Sequence, residues 1–399
     1  MVLAFNNFKI TIVKNYTITV KTLEGLESVL AEEIRQIGGT NINIGNRAVF
    51  FEGDLAMVYR ANYMLRTALR VFRQIETFKF NNVDDFYLKC LRMKWEGFMN
   101  LNQTFSIQST VFHSDIFKNS MFASLKVKDA LADRFRQRFG ARPDVDTQSP
   151  DIIFNVHVSN DQATISLDSS GESLHKRGYR QVQGDAPLSE VLAAGMILMT
   201  GWDGSTDFLD PMCGSGTLPI EAALIAKNIP PGKFRKTYSF MSWKDFDPDL
   251  FEQIKLETEN KEFTGKIYGS DILNKNVLAS QSNARSARVF NLIHFEKGNF
   301  ADINLPMKNS VLVMNPPYGE RLSSPDLESL YTMIGERLKH QYTSNQAWIL
   351  SSSANLMHKI GLKPSQKVKL MNGALECTYQ KYELFEGKRI ERIVKKRLR

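Results

Sequence analysis

Two short stretches of this chain decide its fold, Asp210-Pro-Met-Cys-Gly-Ser-Gly-Thr217 and Asn315-Pro-Pro-Tyr318. Each follows a short apolar run, residues 207–209 in the first case and 311–314 in the second. Apolar runs that end in glycine or proline are typical of buried parallel strands that lead into functional loops. Residues 218–226 have a helical composition, so the first stretch predicts a strand, a glycine turn and a helix. Such a unit forms ligand sites at the strand ends of α/β sheets.

The glycine turn indicates which kind of ligand such a site binds. Gly214 and Gly216 have no Cβ, so the backbone can turn sharply and approach a ligand closely. The helix that follows directs free N–H groups and the positive end of its dipole at that ligand. The turn lacks the Gly-Lys-Ser/Thr ending of phosphate loops, and Asp210 would repel a pyrophosphate. A zwitterionic ligand with an amino group fits better, and a purely structural glycine turn is the alternative.

The second stretch predicts a rigid group of hydrogen-bond acceptors. Two prolines fix the backbone φ angle and carry no N–H. The Asn315 side-chain oxygen and the Pro316 carbonyl can therefore accept the two hydrogens of one exocyclic amino group. Tyr318 offers a flat face on which a planar ring can stack. An amino group held in this way presents its lone pair to an electrophilic methyl group, whereas the alternative is an ordinary turn.

The two stretches together carry a family resemblance. They resemble motifs I and IV of the S-adenosylmethionine-dependent amino-methyltransferases. The strings Asp-Pro-Met-Cys-Gly-Ser-Gly-Thr from Asp210 and Asn-Pro-Pro-Tyr-Gly-Glu-Arg-Leu from Asn315 are similar to those of the RlmL-type guanine-N2 methyltransferases of 23S ribosomal RNA. Those enzymes carry an N-terminal THUMP domain. The resemblance covers nearly the whole chain after the first dozen residues, and it implies S-adenosyl-L-methionine as the cofactor.

The resemblance also implies which residues bind that cofactor. The glycine turn contributes Asp210, Met212, Cys213, Gly214 and Gly216. Segment 186–190, which includes Leu188, matches motif X of the family, at the methionine end of the cofactor. Pro187, Ser189 and Glu190 suit the first turn of a helix there.

The acidic residue that ends the next predicted strand, Asp271, can accept both hydroxyls of a ribose. It can also cap the helix predicted over 274–288, and the two roles are compatible. Asn299 stands where the family often has an acidic residue that contacts the adenine amino group, and Phe300 follows it. The Asn299 amide oxygen can accept the same hydrogen bond without a charge, and Asp302 is the alternative acceptor.

Composition limits the class of protein. The 399 residues suffice for two or three domains with cores of their own. The net charge of +8 suggests a polyanionic partner, and an ordinary basic protein is the alternative. Cys90, Cys213 and Cys377 show neither a disulfide framework nor metal spacing, so we expect no metal. No histidine stands where it would suggest a catalytic pair with Cys213. We therefore interpret Cys213 as a small residue in a tight loop.

The chain shows no pattern of a membrane protein or an exported one. No apolar run approaches the length of a membrane span. The N-terminus lacks a charged and then apolar signal pattern with a cleavage site. We therefore expect a cytoplasmic protein with no membrane contact.

The first 80 residues alternate between strand and helix patterns. Alternation over 16–20 predicts a strand, and apolar residues at helical spacing over 26–37 predict a helix. Residues 41–51 contain two β-like runs around a turn, and Asp54 suits the N-cap of a second helix. Residues 70–78 predict another strand. This β-α-β-β-α-β order is ferredoxin-like.

The next segment resembles a THUMP domain. A long helix is predicted over 120–139, with an apolar stripe of Leu125, Ala130, Leu131 and Phe135. Strands over 104–111, 151–158 and 163–168 accompany it. The resemblance rests on Lys126-Val-Lys-Asp-Ala130 and Arg142-Pro-Asp-Val-Asp146, and it implies RNA binding.

Basic residues on this helix and in the following linker are the candidates for RNA contact: Lys126, Lys128, Arg134, Arg138, Arg142, Lys176 and Arg177. The resemblance favours phosphate contacts, which position RNA without reading bases. A solvated helix face, with Asp129 and Asp133 paired to the cations, is the alternative. For the linker segment 174–180, an ordered connector and a strip that contacts RNA are equally open. His175 has no evident partner, and we assign it no catalytic role.

The segment after Tyr318 completes the second sheet. We expect a helix capped by 323–326 and ending near His340, a strand over 347–350, and a hairpin over 367–370 and 374–385. The basic tail over 388–399 suits a short helix on RNA or a loose charged end. The chain after the hairpin is too short for a further domain of this size.

These elements predict an α/β protein with N-terminal ferredoxin-like and THUMP α+β domains and a C-terminal Rossmann-like class I methyltransferase domain with a terminal β-hairpin. The expected bounds are 14–66 for the ferredoxin-like domain, 67–169 for the THUMP domain, 170–387 for the methyltransferase domain with a linker over 170–185, and 388–399 for the tail.

The expected reaction is methylation of a guanine N2 amino group in 23S ribosomal RNA. Asn315 and Pro316 orient the amino group, and Tyr318 stacks the base, which is flipped out of the RNA. Guanine N2 in tRNA and adenine N6 in nucleic acid are the alternatives, because both offer an amino group to the same acceptors. A ribosome assembly factor that binds RNA without catalysis is the alternative from another class. The sequence leaves the oligomeric state unknown.

Overall fold

The computed structural model describes residues 14–182, 188–305, 307–318 and 324–386. The first half contains strands β1 to β7 and helices α1 to α4. In chain order these are β1 (Tyr16–Lys21), α1 (Glu27–Gln36), β2 (Thr40–Gly45), β3 (Ala48–Gly53), α2 (Leu55–Met64), β4 (Arg70–Lys79), α3 (Val83–Arg92), β5 (Phe105–Phe112), α4 (Ser120–Phe139), β6 (Ile152–Ser159) and β7 (Gln162–Asp168).

These seven strands form one sheet in the order β2-β3-β1-β4-β7-β6-β5. The first four have the strand order of a ferredoxin-like fold, which confirms the prediction. Strand β4 pairs with β1 on one side and with β7 on the other. The ferredoxin-like and THUMP parts therefore share a continuous sheet through β4.

Local signals explain where the helices of this half begin and end. The Asp54 carboxylate accepts the Met57 N–H at 2.9 Å and caps α2, as predicted. Helix α4 has the predicted bounds and ends at Gly140, whose φ of 73° is the left-handed conformation that glycine adopts readily.

One predicted core position of α4 is wrong. Leu125 is 45% exposed, whereas Ala130, Leu131 and Phe135 are buried as predicted. The buried stripe begins at Ala123 and Val127, at the spacing of one helical face. Leu125 lies off that face, so its side chain points to solvent.

The second half contains β8 to β14 and α5 to α10. In chain order these are α5 (Glu190–Thr200), β8 (Phe208–Asp210), α6 (Thr217–Ala226), α7 (Pro248–Leu256), β9 (Ile267–Asp271), α8 (Asn274–Ser286), β10 (Ile293–Lys297), β11 (Val311–Met314), α9 (Ser324–His340), β12 (Gln346–Ser351), α10 (Ala354–Lys359), β13 (Gln366–Asn372) and β14 (Leu375–Glu383).

The second sheet has the order β10-β9-β8-β11-β12-β14-β13. Its strands are parallel except β14, which pairs antiparallel with both neighbours. This is the predicted doubly wound sheet with a terminal hairpin. Strands β9, β8 and β11 are adjacent, so the loops after all three meet at one edge of the sheet.

The two halves share a hydrophobic core. Between α6 and α7 the chain crosses to the first half, where Tyr238, Phe240 and Trp243 are buried in the same cluster as Tyr59 of α2. The Phe240 and Tyr59 rings lie 4.5 Å apart. Our sequence analysis assigned no role to this segment.

An arginine of β4 reinforces the same junction. The Arg73 guanidinium lies 4.1 Å from the Trp243 ring centroid and 4.9 Å from that of Tyr16. It also donates to both carboxylate oxygens of Asp245. The buried cation is thus neutralised by a residue of the second half.

Three predictions fall on residues outside the described ranges: Pro187 in the first turn of a helix, the cap at Ser323, and the tail over 388–399. No helix in the part of the chain that the structure describes is long and apolar enough to cross a bilayer.

Candidate active site

Strand β8 delivers a buried carboxylate to the edge of the sheet. Asp210 is 1% exposed, and its side chain accepts the Met212 N–H at 3.2 Å. Burial raises the pKa of Asp210 to about 8, and the nearby Asp271 carboxylate contributes to the rise. A cationic ligand group beside Asp210 would restore its charged form.

The two glycines of the turn have different roles, one in packing and one beside the ligand space. Both have left-handed backbones, with φ of 53° at Gly214 and 85° at Gly216. A Cβ on Gly216 would lie 2.7 Å from the Ser280 Cβ, so this glycine lets the turn pack against α8. A Cβ on Gly214 would meet no described atom within 4 Å, so this glycine borders open space, as a ligand-binding turn requires.

Asp271 joins the end of β9 to the glycine turn. One carboxylate oxygen accepts the Gly214 N–H at 3.0 Å. The other accepts the Leu273 N–H at 2.9 Å and the Asn276 side-chain amide at 3.0 Å. Asp271 therefore holds the loop before α8 and one side chain of its first turn. Three of the four lone pairs are used, so acceptor capacity remains for one ribose hydroxyl, on the oxygen bonded to Gly214, and not for the two that were predicted.

An apolar surface follows this carboxylate. Ile272 is 59% exposed and Leu273 is 48% exposed, although both lie in the loop between β9 and α8. Neither residue is among the predicted site residues. The signal was present, because two large apolar residues directly after a strand-end acid have no core to join.

The cysteine of the turn behaves as a buried thiol. Cys213 is 7% exposed, and burial raises the pKa of its thiol well above the usual range, with Asp210 and Asp271 adding to the rise. A thiol with a raised pKa is a poor nucleophile. The geometry thus favours a packing role for Cys213.

Arg180 is a functional candidate that sequence analysis missed. Its Nε donates to the Glu190 carboxylate at 2.7 Å, and its terminal nitrogens donate to the Ser215 hydroxyl at 3.1 Å and the Thr217 hydroxyl at 3.0 Å. A further bond reaches the Leu188 carbonyl at 3.1 Å. One side chain therefore ties the start of α5 to the glycine turn. The signal was Glu190, an acid that begins an otherwise apolar helix.

The prediction that Arg177 contacts RNA is wrong. Arg177 is 2% exposed, and its guanidinium donates to the backbone carbonyls of Leu174 and Arg66. Its Nε lies 3.7 Å from the Glu221 carboxylate, which also accepts the Tyr179 hydroxyl at 2.9 Å. Helix α6 requires a counter-charge for its buried glutamate, and Arg177 supplies it. This part of the linker is an ordered connector.

Strand β11 delivers the second motif next to the first. Asn315 follows the buried residue Met314, and its Oδ1 is buried without a hydrogen-bond partner among the described residues. A buried acceptor without a partner costs free energy, so this oxygen needs a donor, which a bound group or an ordered water can supply. Pro316 is buried beside it.

Tyr318 is half-buried at the end of this motif. Its ring packs against the apolar clusters on both faces of the sheet. Its hydroxyl accepts a 2.7 Å hydrogen bond from the Asn372 side-chain amide. Burial raises the pKa of Tyr318 above its usual range, so the hydroxyl stays protonated.

The predicted adenine contacts are differently placed. Asn299 is exposed, and its side-chain oxygen accepts the Ala301 N–H at 3.1 Å, which leaves one lone pair. Phe300 is 2% exposed and stacks on Tyr342 with ring centroids 5.5 Å apart. Asn299 stays a prediction for adenine contact. Because Phe300 is buried, a direct contact with the adenine is disfavoured. Its ring instead supports the loop that carries Asn299.

The predicted RNA-binding residues of α4 form two groups. Lys128 and Arg142 line a cleft of about 330 Å³ together with Arg136 and Tyr87. Arg134 and Arg138 both pair with Glu96, at 2.8 and 2.6 Å, so their charge is partly neutralised.

The remaining predicted cations lie outside both groups. Lys126 lies over the Phe122 ring, 5.4 Å from its centroid. Lys176 is exposed and pairs with Glu172. In the cleft itself, Lys128 pairs with Asp129 and Arg136 with Asp133, so the predicted pairing within the helix also occurs.

The donor set fits S-adenosylmethionine. Three features lie around adjacent strand ends: the two strand-end carboxylates, the Asn315 oxygen, and the space beside Gly214 that no described atom fills. Among the described residues there is no group of three or more histidine, cysteine or acidic side chains that could hold a metal ion.

Three segments of the chain match known families. Residues 177–381 match the family described as RMKL-like, methyltransferase domain. Residues 80–168 match the THUMP domain, and residues 17–72 match the RlmL ferredoxin-like domain.

Curated relatives agree with these matches. A Synechocystis sp. protein named as an RNA methyltransferase, slr0064, is 38% identical over 90% of this chain and 95% of its own length. Proteins named ribosomal RNA large subunit methyltransferase K/L from Psychromonas ingrahamii and Vibrio parahaemolyticus are 37% and 38% identical over 92% of this chain. The chain spans about half the length of these two relatives, 50% and 53%.

Solved structures share the whole architecture. The SMU.472 protein in complex with SAH is 28% identical, with a TM-score of 0.83 over 94% of this chain and 100% of its own. A Listeria monocytogenes structure named for an N6-adenine-specific DNA methylase is 30% identical, with a TM-score of 0.81 over 93% of this chain and 97% of its own. The match to the SAH complex confirms the predicted cofactor. The chain belongs to the RMKL-like family of S-adenosylmethionine-dependent methyltransferases.

Proposed function

We propose that this protein methylates the exocyclic N2 amino group of a guanine in 23S ribosomal RNA. The observation that carries the proposal is the buried Oδ1 of Asn315 at the end of β11, which has no hydrogen-bond partner in the part of the chain that the structure describes. An acceptor in that state suits a substrate that brings N–H donors. The names of the K/L relatives support ribosomal RNA as the substrate class.

The glycine turn and its neighbours hold the cofactor. Asp210 faces a cationic group, Asp271 accepts one ribose hydroxyl, and the exposed side chains of Ile272 and Leu273 cover one face of the adenine. Arg180 keeps Leu188 and the turn in register through its bonds to both. The bound cofactor supplies an electrophilic methyl group on a sulfonium.

The second motif holds the base. Asn315 Oδ1 and the Pro316 carbonyl accept the two N–H hydrogens of the amino group, which turns its nitrogen lone pair toward the methyl. Tyr318 stacks on the flipped base. With the cofactor held on the glycine turn, the nitrogen that Asn315 and Pro316 orient would take the methyl group from the sulfonium, and it would then lose a proton to solvent. The residues contribute position and electrostatics, and none of them forms a covalent bond.

The first half holds the RNA. Arg142 at the cleft of α4 suits a phosphate oxygen, and Tyr87 offers a ring beside it. Lys128 and Arg136 can contribute when they exchange their ion pairs with Asp129 and Asp133 for a phosphate. Such contacts set the register of the RNA and carry no base readout. They predict binding that weakens as salt concentration rises.

Adenine N6 and guanine N2 of tRNA are the competing substrates. Both bring an amino group with two hydrogens, so the Asn315 acceptor does not discriminate between them. The structure named for an N6-adenine-specific DNA methylase keeps the adenine alternative open. A non-catalytic assembly factor would leave the Asn315 acceptor without a purpose.

The test is a methylation assay on ribosomal RNA from cells that lack the protein, with nucleoside mass spectrometry as the readout. A gain of N2-methylguanosine in 23S RNA supports the proposal. A gain of N6-methyladenosine changes the base, and a gain in tRNA alone changes the RNA. Cofactor binding without any transfer to either RNA would favour the assembly factor.

A further inference from the structure

The tip of the terminal hairpin reaches the catalytic motif. Nδ2 of Asn372, the last residue of β13, donates a 2.7 Å hydrogen bond to the Tyr318 hydroxyl. The Cys377 thiol of β14 lies 3.8 Å from the same oxygen. The hairpin therefore contacts the hydroxyl end of Tyr318, whereas its backbone end belongs to the loop after β11.

The hairpin is itself firmly supported. Strand β14 pairs with β12 along its length, and Leu370 and Cys377 are buried. A loop of the first half supports the other side, because a Cβ on Gly25 would lie 2.3 Å from the Lys369 carbonyl oxygen. Asn372 is thus carried by an element that both halves of the molecule hold in place.

The hydrogen bond from Asn372 restrains the hydroxyl end of the Tyr318 side chain, in addition to its backbone end. A tyrosine anchored only by its backbone can rotate about its side-chain torsions. Packing on two apolar clusters and a hydrogen bond at the hydroxyl restrain the ring orientation of Tyr318. A preset ring needs no ordering when a base arrives, and that preorganisation favours the geometry of transfer.

We propose that Asn372 is a positioning residue that fixes the ring plane of Tyr318 for the incoming base. The inference rests on the proposed function, because it assumes that Tyr318 stacks on the base that is methylated. Through Asn372, the terminal hairpin then positions the substrate, whereas the glycine turn binds the cofactor.

A double-mutant cycle tests the proposal. The variants are Asn372→Ala, Tyr318→Phe and the double variant in the full chain, assayed on 23S RNA. The expected result for Asn372→Ala is a kcat lowered by roughly tenfold or more with KM for S-adenosylmethionine unchanged, because a misplaced group slows transfer without weakening cofactor binding. Tyr318→Phe keeps the ring and removes the hydroxyl, so the double variant should be no slower than the slower single variant.

Two further variants control for disruption of the fold. Gln366 is exposed at the opposite end of β13 from Asn372, so Gln366→Ala should leave kcat unchanged. Asn372→Asp keeps the shape of the side chain and can accept a bond from the Tyr318 hydroxyl, so it should recover more activity than Asn372→Ala.

The outcomes separate this inference from the proposed function. An active wild-type protein in which the effects of Asn372→Ala and Tyr318→Phe simply multiply overturns the positioning role alone. The same holds if Asn372→Ala raises KM for the cofactor and leaves kcat unchanged. A wild-type protein that transfers no methyl group to RNA overturns the proposed function and, with it, the role of Asn372.

Discussion

At the scale of one residue, substitution of Asn315 should lower catalysis without lowering stability. Its Oδ1 is buried and unpartnered among the described residues, so it contributes no hydrogen bond to the fold. We expect Asn315→Ala to lower kcat by about 10²-fold or more, as loss of an orienting acceptor does. Cofactor affinity should stay near that of the wild-type protein.

The measurement combines single-turnover transfer, calorimetric titration with S-adenosylhomocysteine and thermal unfolding. Removal of an unsatisfied buried polar atom should leave the unfolding temperature equal or higher. Transfer at the wild-type rate would refute the catalytic assignment of Asn315. A large drop in the unfolding temperature would show that its oxygen has a structural partner.

Asp210 makes cofactor affinity depend on pH. Its pKa of about 8 means that the carboxyl group is largely protonated at neutral pH in the cofactor-free protein. Binding a cationic group requires the charged form, so affinity for S-adenosylmethionine should rise between pH 6.5 and pH 8.5 and then level off. Titration calorimetry in buffers of different ionisation enthalpy should also detect release of a proton on binding.

Asp210→Asn is the matched control, because it should have lower affinity that does not change over this pH range.

The raised pKa of Asp210 also makes the stability of the fold depend on pH. The unfolded carboxyl has a pKa of about 3.9, so the folded protein holds an extra proton between about pH 4 and pH 8. The stability that Asp210 contributes below pH 4 is lost as pH rises to 8, and Asp210→Asn should remove this part of the decline.

Arg177 and Lys176 are adjacent residues with opposite environments. Arg177 is 2% exposed and is the buried counter-charge of Glu221, whereas Lys176 is 58% exposed at its side chain. Arg177→Ala should destabilise the protein by about 3–5 kcal/mol, because it leaves a buried carboxylate without its partner. Lys176→Ala should change stability by less than about 0.5 kcal/mol.

Chemical denaturation of both variants measures the difference. Equal, small effects would mean that the Arg177 side chain is not buried in solution. This pair also shows a limit of sequence reasoning. Both residues belong to one basic string, and only the glutamate that folds against Arg177 from 44 residues further along the chain distinguishes them.

At the scale of elements, the glycine turn tests whether its two glycines have separate roles. Gly216→Ala would place a Cβ 2.7 Å from Ser280 on α8 and strain a φ of 85°. We expect a loss of about 2–4 kcal/mol in stability from overpacking and backbone strain together. Gly214→Ala meets no described atom, so it should cost only about 1 kcal/mol of backbone strain.

The effect on cofactor affinity should be reversed. Gly214→Ala adds a methyl group to the space that the ligand occupies, so it should weaken S-adenosylhomocysteine binding more than Gly216→Ala does in the fraction that stays folded. Denaturation and titration calorimetry on both variants give the two rankings. A single ranking for stability and affinity would contradict separate roles.

Elements were predictable where the sequence signal is local. Asp54 and Gly140 mark helix ends, and the strand ends at Asp210 and Met314 follow from apolar runs with a proline within two residues after them. Contacts between elements had no local signal. One position of the predicted apolar stripe of α4, Leu125, lies off the true face, because only the packed sheet defines which face is buried.

At the scale of the molecule, the site depends on contacts that join distant parts of the chain. Arg180 links the linker to the glycine turn, and Asn372 links the terminal hairpin to Tyr318. The apolar runs predicted the strands that carry the motifs, and the resemblance to a methyltransferase predicted the fold that joins them. It did not predict these supports, because they depend on which side chains the fold brings together.

The shared core predicts that the RNA-binding half and the methyl-transfer half unfold together. Phe240 belongs to the second half, is fully buried, and packs on Tyr59 of the first half and on Phe251 of α7. Phe240→Ala should cost about 3–5 kcal/mol, as loss of a buried aromatic side chain does. Because the ring serves both halves, calorimetry should show one transition in the wild-type protein and one transition at lower temperature in the variant.

Hydrogen exchange localises the effect. In Phe240→Ala, amides of α2 and of β8 should both exchange faster, since opening of one half removes core contacts from the other. The exposed residue Leu256 of α7 provides a control, and Leu256→Ala should leave both unchanged. Two calorimetric transitions, of which the variant shifts only one, would mean that the halves are independent. In that case the distance between the α4 cleft and Asn315 would not be fixed, and RNA would have to order the two halves on binding.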